Sequence, residues 1–202
     1  LQAHRDKITL KIVDKKELDK MLPQDAVHQG VVLETQPLPN VDLTEVICRC
    51  ENNPLARILV LDQVSDPQNI GAIIRSCAAF NISALIMQDK NSPQESGAMV
   101  KASAGTIEFL PVCRVTNLSR ALETLKQNGF WCIGMDGYAK HSIDKINKNA
   151  KIAVVMGSEG KGLRRLVQDN CDDTVKLLIN PNVESLNVSV AAAIALYELS
   201  KF

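Results

Sequence analysis

Residues 55–202 predict an α/β domain built on a parallel sheet with helices on both faces, and three observations predict it. Apolar runs recur at 58–61 (ILVL), 82–87 (ISALIM), 130–135 (FWCIGM), 152–156 (IAVVM) and 175–179 (VKLLI), each of strand length. Most are apolar at nearly every position, as strands covered on both faces are. Helical patterns lie between most of them, and such alternation makes a parallel sheet. The chain is 46% apolar, which gives it a core and excludes a disordered segment.

The upstream elements are fewer. Residues 8–13 (ITLKIV) read as a strand, 15–22 (KKELDKML) as a short helix and 26–36 (AVHQGVVLETQ) as another strand. That is too little to bury a core alone, so residues 1–36 read as the tail of a small α/β domain. Residues 37–54 carry Pro37, Pro39, Asn40, Asn52, Asn53 and Pro54 around the brief apolar patch Val46 to Cys48, a linker composition.

In the main domain, Asp66 is placed to cap the first helix and Pro67 to start it. Ile70, Ile73, Ile74, Cys77 and Ala78 form its apolar stripe, and Arg75 points off that stripe. Asn69 and Gly71 lie in its first turn, just beyond the carboxyl end of a strand, where open α/β sheets bind ligands. A solvated surface arginine is the competing reading of Arg75. Asn81 follows where a left-handed stop is needed. Residues 107–112 (IEFLPV) read as a weaker strand, and 117–128 as an amphipathic helix stopped by Gly129. Lys140, Lys145, Lys148 and Lys151 against Asp144 make 140–151 a basic loop, either a solvated face or a contact for an RNA backbone.

Strand 152–156 runs into Gly157-Ser158-Glu159-Gly160-Lys161-Gly162, whose glycines let backbone amides approach a ligand. The spacing fits neither a dinucleotide fingerprint nor a P-loop. Glu159 would repel a phosphate, and suits a positively charged ligand or an arginine. After strand 175–179, Asn180, Pro181 and Asn182 break the chain. An alanine-rich helix follows from Asn187, apolar on nearly every side, so it must be covered on nearly every side. Ser185, Asn187 and Ser189 stand at its mouth, where Ser185 or Asn187 can cap it and the same loop can hold a ligand.

Net charge is zero, so nucleic acid is attracted by local patches or not at all. Aromatics make up only 3%, which argues against single-strand binding by stacking platforms. No apolar run approaches membrane-spanning length. The charged start lacks a signal segment and an initiator Met, so the chain is expected to begin inside a longer protein. Six scattered cysteines, with Cys77, Cys113 and Cys132 as small buried hydrophobes, fit a reducing, cytoplasmic compartment. Cys48-Arg49-Cys50 has neither zinc nor redox spacing, and no metal is expected.

Three motifs now stand in order. Asn69-Ile70-Gly71-Ala72-Ile73-Ile74-Arg75-Ser76, Val155-Met156-Gly157-Ser158-Glu159-Gly160-Lys161-Gly162-Leu163 and Ser185-Leu186-Asn187-Val188-Ser189-Val190-Ala191 together resemble the SpoU branch of the SPOUT methyltransferases. The resemblance covers roughly 55–202. Upstream, Ala26-Val27-His28-Gln29-Gly30 resembles the end of an L30e-like RNA-binding domain, an arrangement most like the bacterial 23S ribosomal RNA guanosine 2′-O-methyltransferases. It implies S-adenosylmethionine as methyl donor, an RNA ribose 2′-hydroxyl as acceptor, a homodimer and a C-terminal trefoil knot. Methylation of transfer RNA, and a non-catalytic RNA-binding or assembly factor on the same fold, are the alternatives. Cofactor contacts are implied at Met156, Gly157, Gly162, Leu177, Ile179, Leu186 and Asn187. Catalytic roles are implied for Arg75, with Asn69, Glu159, Ser185 and Asn187 orienting it and the ribose. Where relatives have Pro and Gly before the third motif, this chain has Leu178 and Pro181, and Pro181 offers no N–H.

Overall fold

The computed structural model describes residues 9–24 and 26–201. The chain divides into two compact units at Pro37 and Leu38. In the first unit, α1 spans Lys15–Lys20, and the Asp14 side chain caps it by accepting from Glu17 N at 2.8 Å. His28 closes this unit onto α1. Its Nδ1 accepts from Gly30 N at 3.0 Å, which leaves Nε2 as the donor to Asp19 Oδ1 at 3.0 Å.

The strands expected at 8–13 and 26–36 are absent among the described residues, and Ile8 lies outside them. Gln29 (φ 51°) and Gly30 (φ 85°) are both left-handed, which a strand cannot accommodate. Leu10, Ile12, Val27, Val31 and Leu33 are exposed, with no ladder to join.

The second unit is a seven-stranded, wholly parallel sheet. Helix α2 (Leu43–Arg49) precedes β1 (Arg57–Leu61), α3 (Pro67–Ala79), β2 (Ala84–Gln88), α4 (Gly97–Ser103), β3 (Val112–Val115) and α5 (Leu118–Gln127). Then come β4 (Phe130–Met135), β5 (His141–Ser142), β6 (Lys151–Met156), α6 (Arg165–Gln168), β7 (Asp173–Lys176) and α7 (Val188–Ser200). The strand order is β3-β2-β1-β6-β4-β7-β5.

Alternation along the buried strands sorts the helices into two layers. Leu59 and Leu61, with Leu85 and Met87, share a core with Ile70, Ile73 and Ile74 of α3, Met99 of α4 and Ala192, Ala195 and Leu196 of α7. Ile58 and Val60, with Ala84 and Ile86, face Val46 of α2, Leu118, Leu122 and Leu125 of α5 and Val167 of α6. Helices therefore cover both faces, as predicted.

Four local readings change. Residues 37–54, expected as a linker, contain α2, capped by Asp42 and holding Val46 at 1% exposure against the sheet. An apolar patch three residues long, read as too brief, is one turn of a capped helix. Residues 106–108 form a 3-10 turn, and β3 begins only at Val112, because Pro111 cannot donate to the ladder. β7 ends at Lys176 rather than 179, since its register stops at Met135↔Val175 and Ser142↔Lys176, leaving Leu177 to Ile179 no partner. β5 falls inside 140–151, read as a basic loop.

Candidate functional site

The site stands where β1 and β6 lie side by side and the chain leaves them in opposite directions, the switch point at which open α/β sheets bind ligands. From β1 the chain enters α3, whose N-cap Asp66 accepts from Gln68 N and whose third residue is Asn69. From β6 it enters the glycine loop. A Cβ on Gly157 would lie 2.1 Å from Gly162 C and 2.4 Å from Leu163 N, so only glycine allows the loop to double back there. Gly162 N donates to Ser158 O at 2.9 Å, and Gly162 itself is left-handed (φ 64°). The turn lifts Glu159 off the end of the sheet toward the start of α7.

There the three motifs meet. Glu159 Oε1 accepts from Asn187 Nδ2 at 2.7 Å, from Val188 N at 3.0 Å and from Asn69 Nδ2 at 3.4 Å. Asn187 Nδ2 also donates to Asn69 Oδ1 at 3.0 Å. Asn187 is the cap of α7, its Oδ1 accepting from Ser189 N and Val190 N. Of the two caps left open by the sequence, the structure takes Asn187. The carboxylate sits against the first N–H of α7, where the helix dipole favours negative charge. It thereby fastens the starts of α3 and α7 together.

Other expected residues stand apart from this cluster. Arg75 is exposed on α3, on the face shared with Gln68, Ala72 and Ala79. Ser185 is exposed in the irregular segment before α7. Met156 has its side chain in the core at 4% exposure, and its carbonyl accepts from Asp62 N. Gly71, placed near the ligand by sequence, works elsewhere: a Cβ there would stand 2.4 Å from Met99 O, so it lets α3 and α4 pack closely. Leu177 and Leu186 are half-buried, and Ile179 is 38% exposed. Of the basic loop, Lys145 pairs with Asp144, Lys148 pairs with Glu198 at 2.9 Å, and Lys151 lies over the Phe130 ring. Lys140 is exposed.

Two features escaped the sequence reading. Asp62, fully buried, accepts from Arg164 N at 2.9 Å and Arg164 Nε at 2.7 Å, and Arg164 also reaches Gln88 Oε1 at 3.0 Å. This pair anchors the far leg of the glycine loop to the ends of β1 and β2. Its one signal was an acid ending a buried apolar strand. The second is the turn after β4, which by register stands between the loops after β6 and β7. Among the described residues no group of three acidic, histidine or cysteine side chains is placed to hold a metal ion. None of the described helices is long and apolar enough to cross a membrane.

Residues 56–197 match the profile of the SpoU rRNA Methylase family. The chain belongs to this family. Residues 1–41 match a profile described as RNA 2'-O ribose methyltransferase substrate binding. The chain is 38% identical over 199 residues to the 23S rRNA (guanosine-2'-O-)-methyltransferase RlmB of Pseudomonas putida, covering 97% of this chain and 79% of that one. It is 37% identical over 198 residues to a Bacillus subtilis protein named for the TrmH family of tRNA/rRNA methyltransferases, covering 98% and 79%. Among solved structures it resembles AviRb of Streptomyces viridochromogenes in complex with AdoMet, at a TM-score of 0.70 and 25% identity. That match covers 76% of this chain and 60% of AviRb, so this chain spans less than two thirds of that protein. The expected SpoU fold, parallel sheet and two helical layers are present together.

Proposed function

We propose that this protein transfers a methyl group from S-adenosylmethionine to a ribose 2′-hydroxyl of RNA, a guanosine of 23S ribosomal RNA. The observation that carries the reading is the hydrogen-bonded triangle Asn69–Glu159–Asn187, which joins three motifs separated by up to 118 residues of sequence. The names of the relatives above support the substrate class.

The residues present fit the methyl donor. Gly157 and Gly162 bring no side chains of their own to the loop, and Leu177, Ile179 and Leu186 offer partly open apolar surface. Backbone groups there, with the cap Asn187, would hold it. Bound S-adenosylmethionine supplies an electrophilic methyl group on a sulfonium. A ribose hydroxyl must lose its proton as it attacks, and the chain's contribution is to stabilise the oxygen's growing negative charge. A guanidinium offers donors and no acceptor, so the role of Arg75 is electrostatic, with an RNA phosphate taking the proton. Its exposure on α3 leaves its donors available to RNA. Asn69, Glu159 and Asn187 fix the start of α3 and so the register in which Arg75 is presented, and Ser185, exposed in the segment before α7, helps to orient the ribose.

The proposal extends to residues 1–36 as the end of an L30e-like RNA-binding domain, to the C-terminal trefoil knot and to a cytoplasmic homodimer. The dimer contact is proposed to lie on α7. Ala192 and Ala195 of the alanine-rich helix are fully buried in their own core. The open apolar stripe of α7 is Val190, Ile194 and Tyr197, spaced as one helical face and 43–52% exposed. A second copy is proposed to cover it. Ile194→Lys should then sediment as a monomer where the wild type is a dimer.

The experiment for the activity is Arg75→Ala. Cofactor affinity by calorimetry should hold, while methyl transfer to a 23S ribosomal RNA transcript falls at least about a hundredfold, the loss expected for one oxyanion-type donor. More than a tenth of wild-type turnover would overturn the role of Arg75.

A further inference from the structure

Tyr138 is 94% exposed, although the protein has only two tyrosines and few aromatics of any kind. The turn that presents it is pinned by hydrogen bonds at Asp136, Tyr138 and Ala139. Asp136 N donates to Val175 O at 2.9 Å, and Asp136 O accepts from Ala139 N at 3.1 Å. Asp136 Oδ1 accepts from Tyr138 N at 2.9 Å, and Oδ2 accepts from Gln168 Nε2 at 3.0 Å. Ala139 is buried at 5% exposure, so the ring is held outward by a fixed backbone. Beside it, a Cβ built on Gly137 meets nothing within 4 Å, which leaves room for a flat group.

The position is as informative as the exposure. Gly134 pairs with Val155 of β6, and Met135 pairs with Val175 of β7. The turn therefore rises between the loop that carries Glu159 and the segment that begins with Leu177. At the spacing of neighbouring strands it stands roughly 10 Å from the line of β1, the strand that leads into α3 and Arg75. Lys140 follows it in the same exposed turn, and Lys161 is exposed on the loop of the adjacent strand. The one acid of the turn, Asp136, has both carboxylate oxygens engaged. An exposed ring with Lys140 on its own loop and Lys161 on the loop of the adjacent strand suits a nucleobase with its phosphates.

We infer that Tyr138 is a stacking contact for an unpaired base of the RNA, a nucleotide flanking the one methylated. The inference rests on the proposed RNA methyl transfer for its ligand. It is a single contact, compatible with a composition too poor in aromatics for a row of them.

The test compares wild type, Tyr138→Ala, Tyr138→Phe and Tyr138→Trp on an in-vitro 23S ribosomal RNA transcript, by filter binding and by methyl transfer. Stacking of one base corresponds to a roughly 5- to 150-fold effect. Tyr138→Ala should weaken RNA affinity and raise KM for RNA by at least fivefold, with kcat and S-adenosylmethionine affinity held within twofold. Tyr138→Phe and Tyr138→Trp should restore both. Unchanged RNA affinity in Tyr138→Ala, or failure of Tyr138→Phe to restore it, overturns the inference. Sedimentation of Tyr138→Ala as a smaller species than wild type also overturns it, by assigning the ring to an interface between copies. If the wild type binds the transcript but transfers no methyl group, the methyl-transfer reading fails and the affinity comparison still decides on Tyr138.

Discussion

Removing Glu159 and Asn187 singly and together measures the contact on which the site is built. Asn187→Ala loses the cap of α7, about 1 kcal/mol. It also loses the 2.7 Å bond to the Glu159 carboxylate. Hydrogen bonds to charged groups contribute about 1.5–3 kcal/mol, and exposure of this cluster places the bond near the low end. Glu159→Ala loses the same bond, the acceptor for Val188 N and a favourable charge at the start of α7, the last about 0.3–1 kcal/mol. Each single variant should therefore be destabilised by about 2.5 kcal/mol. The double variant should lose about 3.5 kcal/mol, because the shared bond is lost only once, giving a coupling of about 1.5 kcal/mol. Urea unfolding followed by circular dichroism and by the single tryptophan, Trp131 in β4, gives all four stabilities. Additivity within about 0.5 kcal/mol would refute the reasoning, since it would mean that the second and third motifs do not touch in solution. Glu159→Gln, which keeps the acceptor and drops the charge, should fall between wild type and Glu159→Ala.

Gly71→Ala should destabilise by about 1–3 kcal/mol despite the better helix propensity of alanine, because its Cβ meets Met99 O of α4 at 2.4 Å; Gly97→Ala, with nothing within 4 Å, should be neutral or stabilising in the same urea assay. Burial pushes the Cys132 and Cys171 thiols up to about 12 and Cys113 up to about 11, whereas Cys48 is exposed. A thiol reagent at pH 8 should thus label Cys48 quickly and those three only on unfolding, and rapid labelling of Cys132 would contradict the packing of β4. Hydrogen bonds from Lys201 and Lys148 hold the Glu198 carboxyl below its ordinary value of 4.5. Its contribution to stability is therefore full above that value and lost as the pH falls through the lower folded one, so Glu198→Gln should flatten the fall of Tm between pH 5 and pH 3.

The residues by themselves determined the parts that depend on near neighbours. Runs such as Ile152 to Met156 are strands because nothing but a doubly covered sheet suits them, and Asp66-Pro67 and Asn81 bracket α3 through backbone chemistry within a turn. The three motifs were visible too, as was their likeness to one family. Other outcomes needed the tertiary structure, because each depends on what lies opposite. Whether Leu177 to Ile179 extend β7 is set by the length of β4 and β5, and whether 8–13 forms a strand is set by a partner that no local pattern encodes. Gly71 was legible as a glycine, but only the approach of Met99 shows why. Asp62 and Arg164 lie 102 positions apart, and Asn69 and Asn187 lie 118 apart. Pairings at such separations follow from strand order, which the sequence left open, and the strand order is what turns scattered polar residues into a site.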